Sequence, residues 1–342
     1  MSNRRLPAEW EPQRLVQFTF PHRQGDWAYM YEEVVDCFVH LINTTAHYVP
    51  VLVVCESAKD MADYFTAETK HAILFAQQPS NDTWARDHGA ITVLEDGEPL
   101  LLDFTFNGWG QKFDAGLDNI ISLGLHAQGI FRDDLQTLPF VLEGGALESD
   151  GQGTLLTTSE CLLSPYRNPK MDKQQIEDYL KEVFGLQQVL WLDHGYLSGD
   201  DTDSHIDTLA RLCDEQTIAY VKCDDPEDEH YEALKEMEAQ LQTFRTLKNE
   251  PYKLVALPWP DACHDEEGQR LPATYANFLI TNGAVLVPTY GVKQDDKALA
   301  VLRTCFPDRE VVGVNCRPLI DQHGSLHCVT MQYPENVTIS WL

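Results

Sequence analysis

The chain has 342 residues, 43% of them hydrophobic and 23% charged, a balance that supports a packed core and excludes a disordered polypeptide. Fifty-four acidic residues against 25 basic ones give a formal charge of −29, which repels phosphate backbones and anionic lipid and so excludes nucleic acid and membranes as expected partners. Nine cysteines with no C-x-x-C pair argue against a zinc site or a closed disulfide framework and point to a reducing cytoplasm.

The N-terminus carries Arg4 and Arg5 but continues as LPAEWEPQ rather than as an apolar run, so no signal peptide is predicted. No apolar stretch approaches the roughly 18 residues that span a bilayer. Helical periodicity is found near 28–45, 57–68, 116–128, 172–184, 228–246 and 295–305. Between these stretches lie the β-rich runs VPVLVVC (49–55), EPLLLDF (98–104), GTLLTT (153–158), TIAYVKC (217–223) and NFLITNGAVLVP (277–288). Turn signals at 95–98, 150–153 and 281–283 pair several of them into hairpins, so the expected class is α/β with antiparallel elements rather than a purely parallel sheet. The acidic stretches 223–230 and 260–270 are predicted to be exposed loops too short for linkers, and the whole of 1–342 is expected to be a single catalytic domain.

Three segments are hard to explain as packing: NDTWARDHG (81–89), SGDDTDSHID (198–207) and HGSLHCVTMQ (323–332). On an extended strand His205 and Asp207 project from one face and would share a cavity. Cys328 follows Gly324 and Ser325; a free cysteine is more often a small buried hydrophobe, and only a histidine and carboxylates from elsewhere in the chain would make it a nucleophile. No other cysteine has a comparable setting. His327 is expected to turn away from its neighbour Cys328 and serve structure. Glu143 precedes Gly144 and Gly145, where the backbone can approach another group closely. Cys263-His264 lacks further ligands at metal-like spacing, so no metal site is expected.

These segments, with PAEWEPQ (7–13), FNGWGQKFD (106–114), LEGG (142–145), CLLSPYRNP (161–169), TYANFLITNG (274–283) and FPDREVVGV (306–314), resemble the guanidino-modifying enzymes of the pentein superfamily. The likeness is strongest to the agmatine deiminase branch, which is related to bacterial peptidylarginine deiminase. It spans nearly the whole chain. The resemblance implies a five-bladed α/β propeller of ββαβ modules around a central channel. It also implies Cys328 as nucleophile, His205 as acid and base, Asp87 and Asp207 as the guanidinium-binding carboxylates, and Glu143 as the group that orients the histidine. Trp84 would wall the guanidinium pocket, and Asn277 would line it. Family members of the agmatine branch carry a glutamate four residues before the histidine, and Asp201 stands there to meet an ammonium tail, while Asp200 and Asp203 are also suited to capping a turn. The implied reaction is hydrolysis of agmatine to N-carbamoylputrescine and ammonia without metal or organic cofactor, by a chain expected to be cytoplasmic and possibly a homo-oligomer. Hydrolysis of peptidyl-arginine or another guanidine is the alternative, and a non-catalytic polyamine-binding protein is the alternative of another class.

Overall fold

The computed structural model describes residues 4–341. Five mixed sheets follow one another along the chain, and each repeats one pattern: an antiparallel pair, then a crossover containing a helix, then a third strand parallel to the second. The pattern is clearest at Leu279–Thr281 and Ala284–Thr289, which pair antiparallel across the Asn282-Gly283 turn before the helix Asp295–Cys305 leads to the parallel strand Glu310–Asn315. The same unit is built from Ile91–Glu95, Glu98–Thr105 and Leu135–Val141; from Glu148–Ser149, Thr154–Thr158 and Gln188–Leu192; and from Ala210–Asp214, Thr217–Val221 and Lys253–Leu257. A fifth joins the two ends of the chain. Thr330–Pro334 pairs antiparallel with Gln13–Thr19, which in turn runs parallel to Val51–Cys55 and, through it, to Ile73–Gln77.

The local sequence explains most of these elements. Asp96 and Gly97 both take positive φ between Glu95 and Glu98, the backbone that a tight two-residue hairpin demands. Asp172 caps the helix Lys173–Phe184 in a capping box with Gln175, and Gly185 ends it in the left-handed conformation. The strand Val51–Cys55 is buried at every position, as expected of a strand with parallel neighbours on both edges.

Two expectations are corrected. The helix expected over 57–68 is a single turn, Ala58–Met61. Tyr64 and Phe65 would diverge by about 100° on a helix, yet both rings pack on Phe20, at 5.5 and 6.1 Å, and that aromatic contact draws the chain out of helical form. Likewise His205 and Asp207 do not lie on an extended strand: His205 precedes the one-turn 3-10 helix Ile206–Thr208 that contains Asp207. No helix among the described residues is long and apolar enough to cross a membrane.

Candidate active site

Each of the five units contributes side chains from the segment just before its first strand. Asp87 precedes Ile91–Glu95, Glu143 precedes Glu148–Ser149, His205 and Asp207 precede Ala210–Asp214, Asn277 precedes Leu279–Thr281, and Cys328 precedes Thr330–Pro334. Equivalent positions in five successive units thus meet at one place. Cys328 Sγ lies 3.3 Å from Asn277 Nδ2 and 3.9 Å from Asp207 Oδ2, and His205 Nδ1 lies 3.6 Å from Asp87 Oδ1.

Every one of these six residues is buried. Asp87 accepts from Trp109 Nε1 and from the Gly145 amide, both at 3.0 Å. Asn277 acts as a clamp more than a lining group: its Oδ1 takes the His327 amide at 2.8 Å and the Cys328 amide at 3.3 Å, and its Nδ2 reaches the Asp207 carbonyl at 3.3 Å. The chain around the thiol is thereby fixed by one fully buried amide. In contrast, His205 Nδ1 and Nε2 and Asp207 Oδ1 have no hydrogen-bond partner. Buried polar atoms are rarely left so, and three of them belong to this cluster.

Glu143 differs from its expected role. Both carboxylate oxygens accept from Arg167 Nε, at 2.9 and 3.0 Å, with each side chain fully buried. Glu143 stands within 4.8 Å of a His205 nitrogen without bonding it. Cys161 falls in the same radius, so Cys328 is not alone in having histidine and carboxylate near it, but Cys161 does not line the pocket that reaches Cys328.

That pocket is narrow, with a free volume of about 30 Å³. Cys328 and Asp87 lie at its base, Trp84, Trp109 and Phe113 form apolar walls, and Asp26, Asp82 and Asp201 supply carboxylates. Among the described residues, no lysine or arginine lines it. Trp84 is held by its Nε1 bond to Asp82 Oδ2 at 2.7 Å. Gly324 lies flat against that ring, because a Cβ there would stand 2.1 Å from it. Of the three aspartates ahead of His205, Asp200 caps the turn by accepting from the Thr202 and Ser204 amides, and Asp203 binds Lys112 and Arg167. Only Asp201 remains for the pocket, with His323 Nε2 at 3.9 Å from its carboxylate.

The electrostatics of the empty site favour neutral groups, with one exception. Burial, then the charges of Asp207 and Asp87, push the Cys328 thiol well above its ordinary range. Burial and the charge of Asp207 do the same to Asp87. Burial lowers His205 to about 3, against the pull of Asp207. For Asp207 burial also opposes ionisation, but the hydrogen bond and charge of His327 outweigh it and hold this carboxyl below the usual range.

Sequence reasoning missed Trp109, Arg167 and the buried set behind Asp207, formed by Glu9, Arg211 and His327. Trp109 carried a signal: it sits between two glycines and itself takes a φ of 55°. Gly108 also has positive φ, and a Cβ on it would stand 2.3 Å from the Phe113 carbonyl oxygen.

The profile of the Porphyromonas-type peptidyl-arginine deiminases matches residues 5–334. An agmatine deiminase of Stutzerimonas stutzeri is 32% identical over 354 residues, covering 96% of this chain and 95% of the relative. Among solved structures, one described as a "putative arginine deiminase" from Porphyromonas gingivalis superposes with a TM-score of 0.94 at 53% identity, over 98% of this chain and 99% of that one. An agmatine deiminase of C. jejuni, a cysteine-to-serine variant with substrate bound, gives 0.91 at 38% identity, over 96% of each chain. The chain therefore belongs to the Porphyromonas-type peptidyl-arginine deiminase family and has the pentein fold of the guanidino-modifying enzymes.

Proposed function

We propose that the protein is an agmatine deiminase that hydrolyses agmatine to N-carbamoylputrescine and ammonia. The observation that carries this reading is the composition of the pocket: four carboxylates, Asp26, Asp82, Asp87 and Asp201, aromatic walls, and among the described residues no lysine or arginine lining it to receive an α-carboxylate. Agmatine is a guanidinium and an ammonium joined by methylenes, whereas free arginine brings a carboxylate that would lie among Asp26, Asp82 and Asp201. The name of the Stutzerimonas stutzeri relative and the substrate-bound C. jejuni structure agree with this choice.

In this mechanism Asp87 and Asp207 take the guanidinium, and the indole of Trp84 faces the cation. The substrate's charge ionises the Cys328 thiol, whose proton passes to His205. The thiolate attacks the guanidinium carbon, and the C–N bond breaks as His205 returns that proton to the departing ammonia. A cationic amidino-thioether remains on Cys328. His205 then takes a proton from water as its oxygen bonds to the same carbon; collapse expels the thiolate, which recovers its proton from His205, while the hydroxyl proton of the ureido product is lost to solvent. The product has lost the guanidinium charge, so Asp87 and Asp207 no longer hold it. Glu143, fixed by Arg167, is a negative group beside His205 in both steps.

One observation favours a longer substrate as a second reading. The pocket opens through Asp26, Asp82, Trp109 and Phe113 onto a wide groove lined also by His22, Asn107 and Lys112, which would admit a peptidyl-arginine. The discriminating experiment offers agmatine, free arginine and an arginine-containing peptide to the purified protein and measures ammonia and ureido product. Release from agmatine alone supports the proposal, and turnover confined to the peptide overturns it. Tight polyamine binding without turnover would make the chain a binder, and full activity in Cys328→Ala would sink the chemistry. A reducing cytoplasm suits the nine cysteines, all of them free thiols.

A further inference from the structure

Asp207 leaves one oxygen unpaired and turns the other to the protein. Oδ1 has no partner, whereas Oδ2 meets His327 Nδ1 at 2.7 Å. The opposite ring nitrogen, Nε2, meets Glu9 Oε2 at 2.8 Å. The ring thus bridges two buried carboxylates, one at each nitrogen. Arg211 Nη2 stands 3.1 Å from the same Nε2 and also donates to Glu9 Oε2 at 2.7 Å. Arg211 is fixed in turn by Glu148 and by the carbonyls of Ala276 and Phe278. His327 and Arg211 are thus interleaved with three carboxylates, Asp207, Glu9 and Glu148, in one buried row.

We propose that His327 is a positioning residue: bonded to Asp207 through Nδ1 and to Glu9 through Nε2, it keeps Asp207 turned so that Oδ1 is free for the substrate's guanidinium. This rests on the reading of Asp207 as a guanidinium-binding group. Other charged groups face Asp207 as well. Arg211, Arg86 and His205 are within electrostatic reach on the cationic side, and Asp87, Asp200 and Cys328 on the other. Of these only the Cys328 thiol touches the carboxylate, at a long 3.9 Å, so the close bond of His327 is what sets it. Asp87 has no cation bonded to it, accepting only an indole and an amide N–H. The two substrate carboxylates are consequently unequal: Asp207 is charged before the substrate arrives, and Asp87 becomes charged when it does.

The test is His327→Asn, which retains an N–H donor near the position of Nδ1 and removes the ring nitrogen that reaches Glu9. Agmatine kinetics across a pH series should show KM raised at least about tenfold with a smaller change in kcat, and the acid limb of kcat/KM displaced upward by about one unit. A merely structural role would lower thermal stability without moving that limb. Unchanged KM and an unmoved limb in the folded variant overturn the proposal. Calorimetric titration of guanidinium chloride into Cys328→Ala, with and without His327→Asn, separates this from the parent reading. If the wild-type protein does not turn over agmatine, the proposed function fails, and the titration alone decides His327: binding weakened about tenfold supports it, equal binding overturns it. Should His327→Asn not fold, Glu9→Gln removes the charge behind the ring, and the same two readouts must move in the same directions or the proposal falls.

Discussion

Cys328 is a thiol held in reserve. Its buried position beside Asp207 and Asp87 penalises the thiolate, and no cation touches its sulfur. The expected consequence is a nucleophile that ionises only with a guanidinium in place. Thiolate absorbance near about 240 nm, taken as the difference between wild type and Cys328→Ser, should be absent at neutral pH and appear on addition of guanidinium ion. Equal thiolate with and without the ion would contradict this. Arg167 is the complementary case, a cation with fixed partners. It binds Glu143 with both groups fully buried and also takes Asp203 at 2.5 Å. Arg167→Met would leave Glu143 in the interior without its counter-charge, where burial already favours its protonation. A loss of about 3–5 kcal/mol in unfolding free energy is expected by denaturant titration, since breaking a buried pair strands the other charge. An exposed pair such as Arg23–Glu32 gives the control, and its removal should leave the unfolding midpoint nearly unchanged.

At the scale of elements, the site depends on backbone passing unusually close to side chains. Gly145 shows this best: a Cβ there would lie 2.5 Å from His205 Nδ1 and 2.9 Å from Asp87 Oδ1. Gly145→Ala therefore has to push both groups aside, while the short helix it belongs to tolerates alanine. Activity should fall by roughly 100-fold, as small misplacements of reacting groups do, with circular dichroism unchanged. Near-normal kcat in that variant would show that His205 and Asp87 need not sit where they do. Much of this was legible beforehand, because Glu143-Gly144-Gly145 and the ordered motifs mark the segments, and the hairpin turns at 95–98 and 281–283 are written in asparagine, aspartate and glycine. The route by which His205 and Asp207 come together was not. A two-residue spacing fits a strand by alternation, but the chain turns through a 3-10 helix after Asp203 and Ser204, both at positive φ, and local spacing does not reveal such a backbone. Nor could spacing show that His327, a chain neighbour of Cys328, bonds a residue 120 positions away.

The whole molecule adds two conditions that no single segment carries. Closure comes from Thr330–Pro334 pairing with Gln13–Thr19, so the thiol two residues earlier is placed only when the chain's two ends have met. The second condition is charge. A formal charge of −29 surrounds a pocket whose carboxylates include Asp26, Asp82 and Asp201, and a dicationic substrate approaching it gains from the summed field before touching any residue. Salt shortens the reach of that field from about 10 Å at 0.1 M to about 3 Å at 1 M. The buried contacts at Asp87 and Asp207 are screened much less. Raising sodium chloride from about 0.05 to about 0.5 M should accordingly lower kcat/KM for agmatine several-fold while kcat at saturation stays nearly constant. Asp201→Asn should flatten that slope, because one of the charges that salt screens is already gone. A kcat/KM indifferent to salt would mean that the acidic surface serves solubility alone and that capture is governed within the pocket.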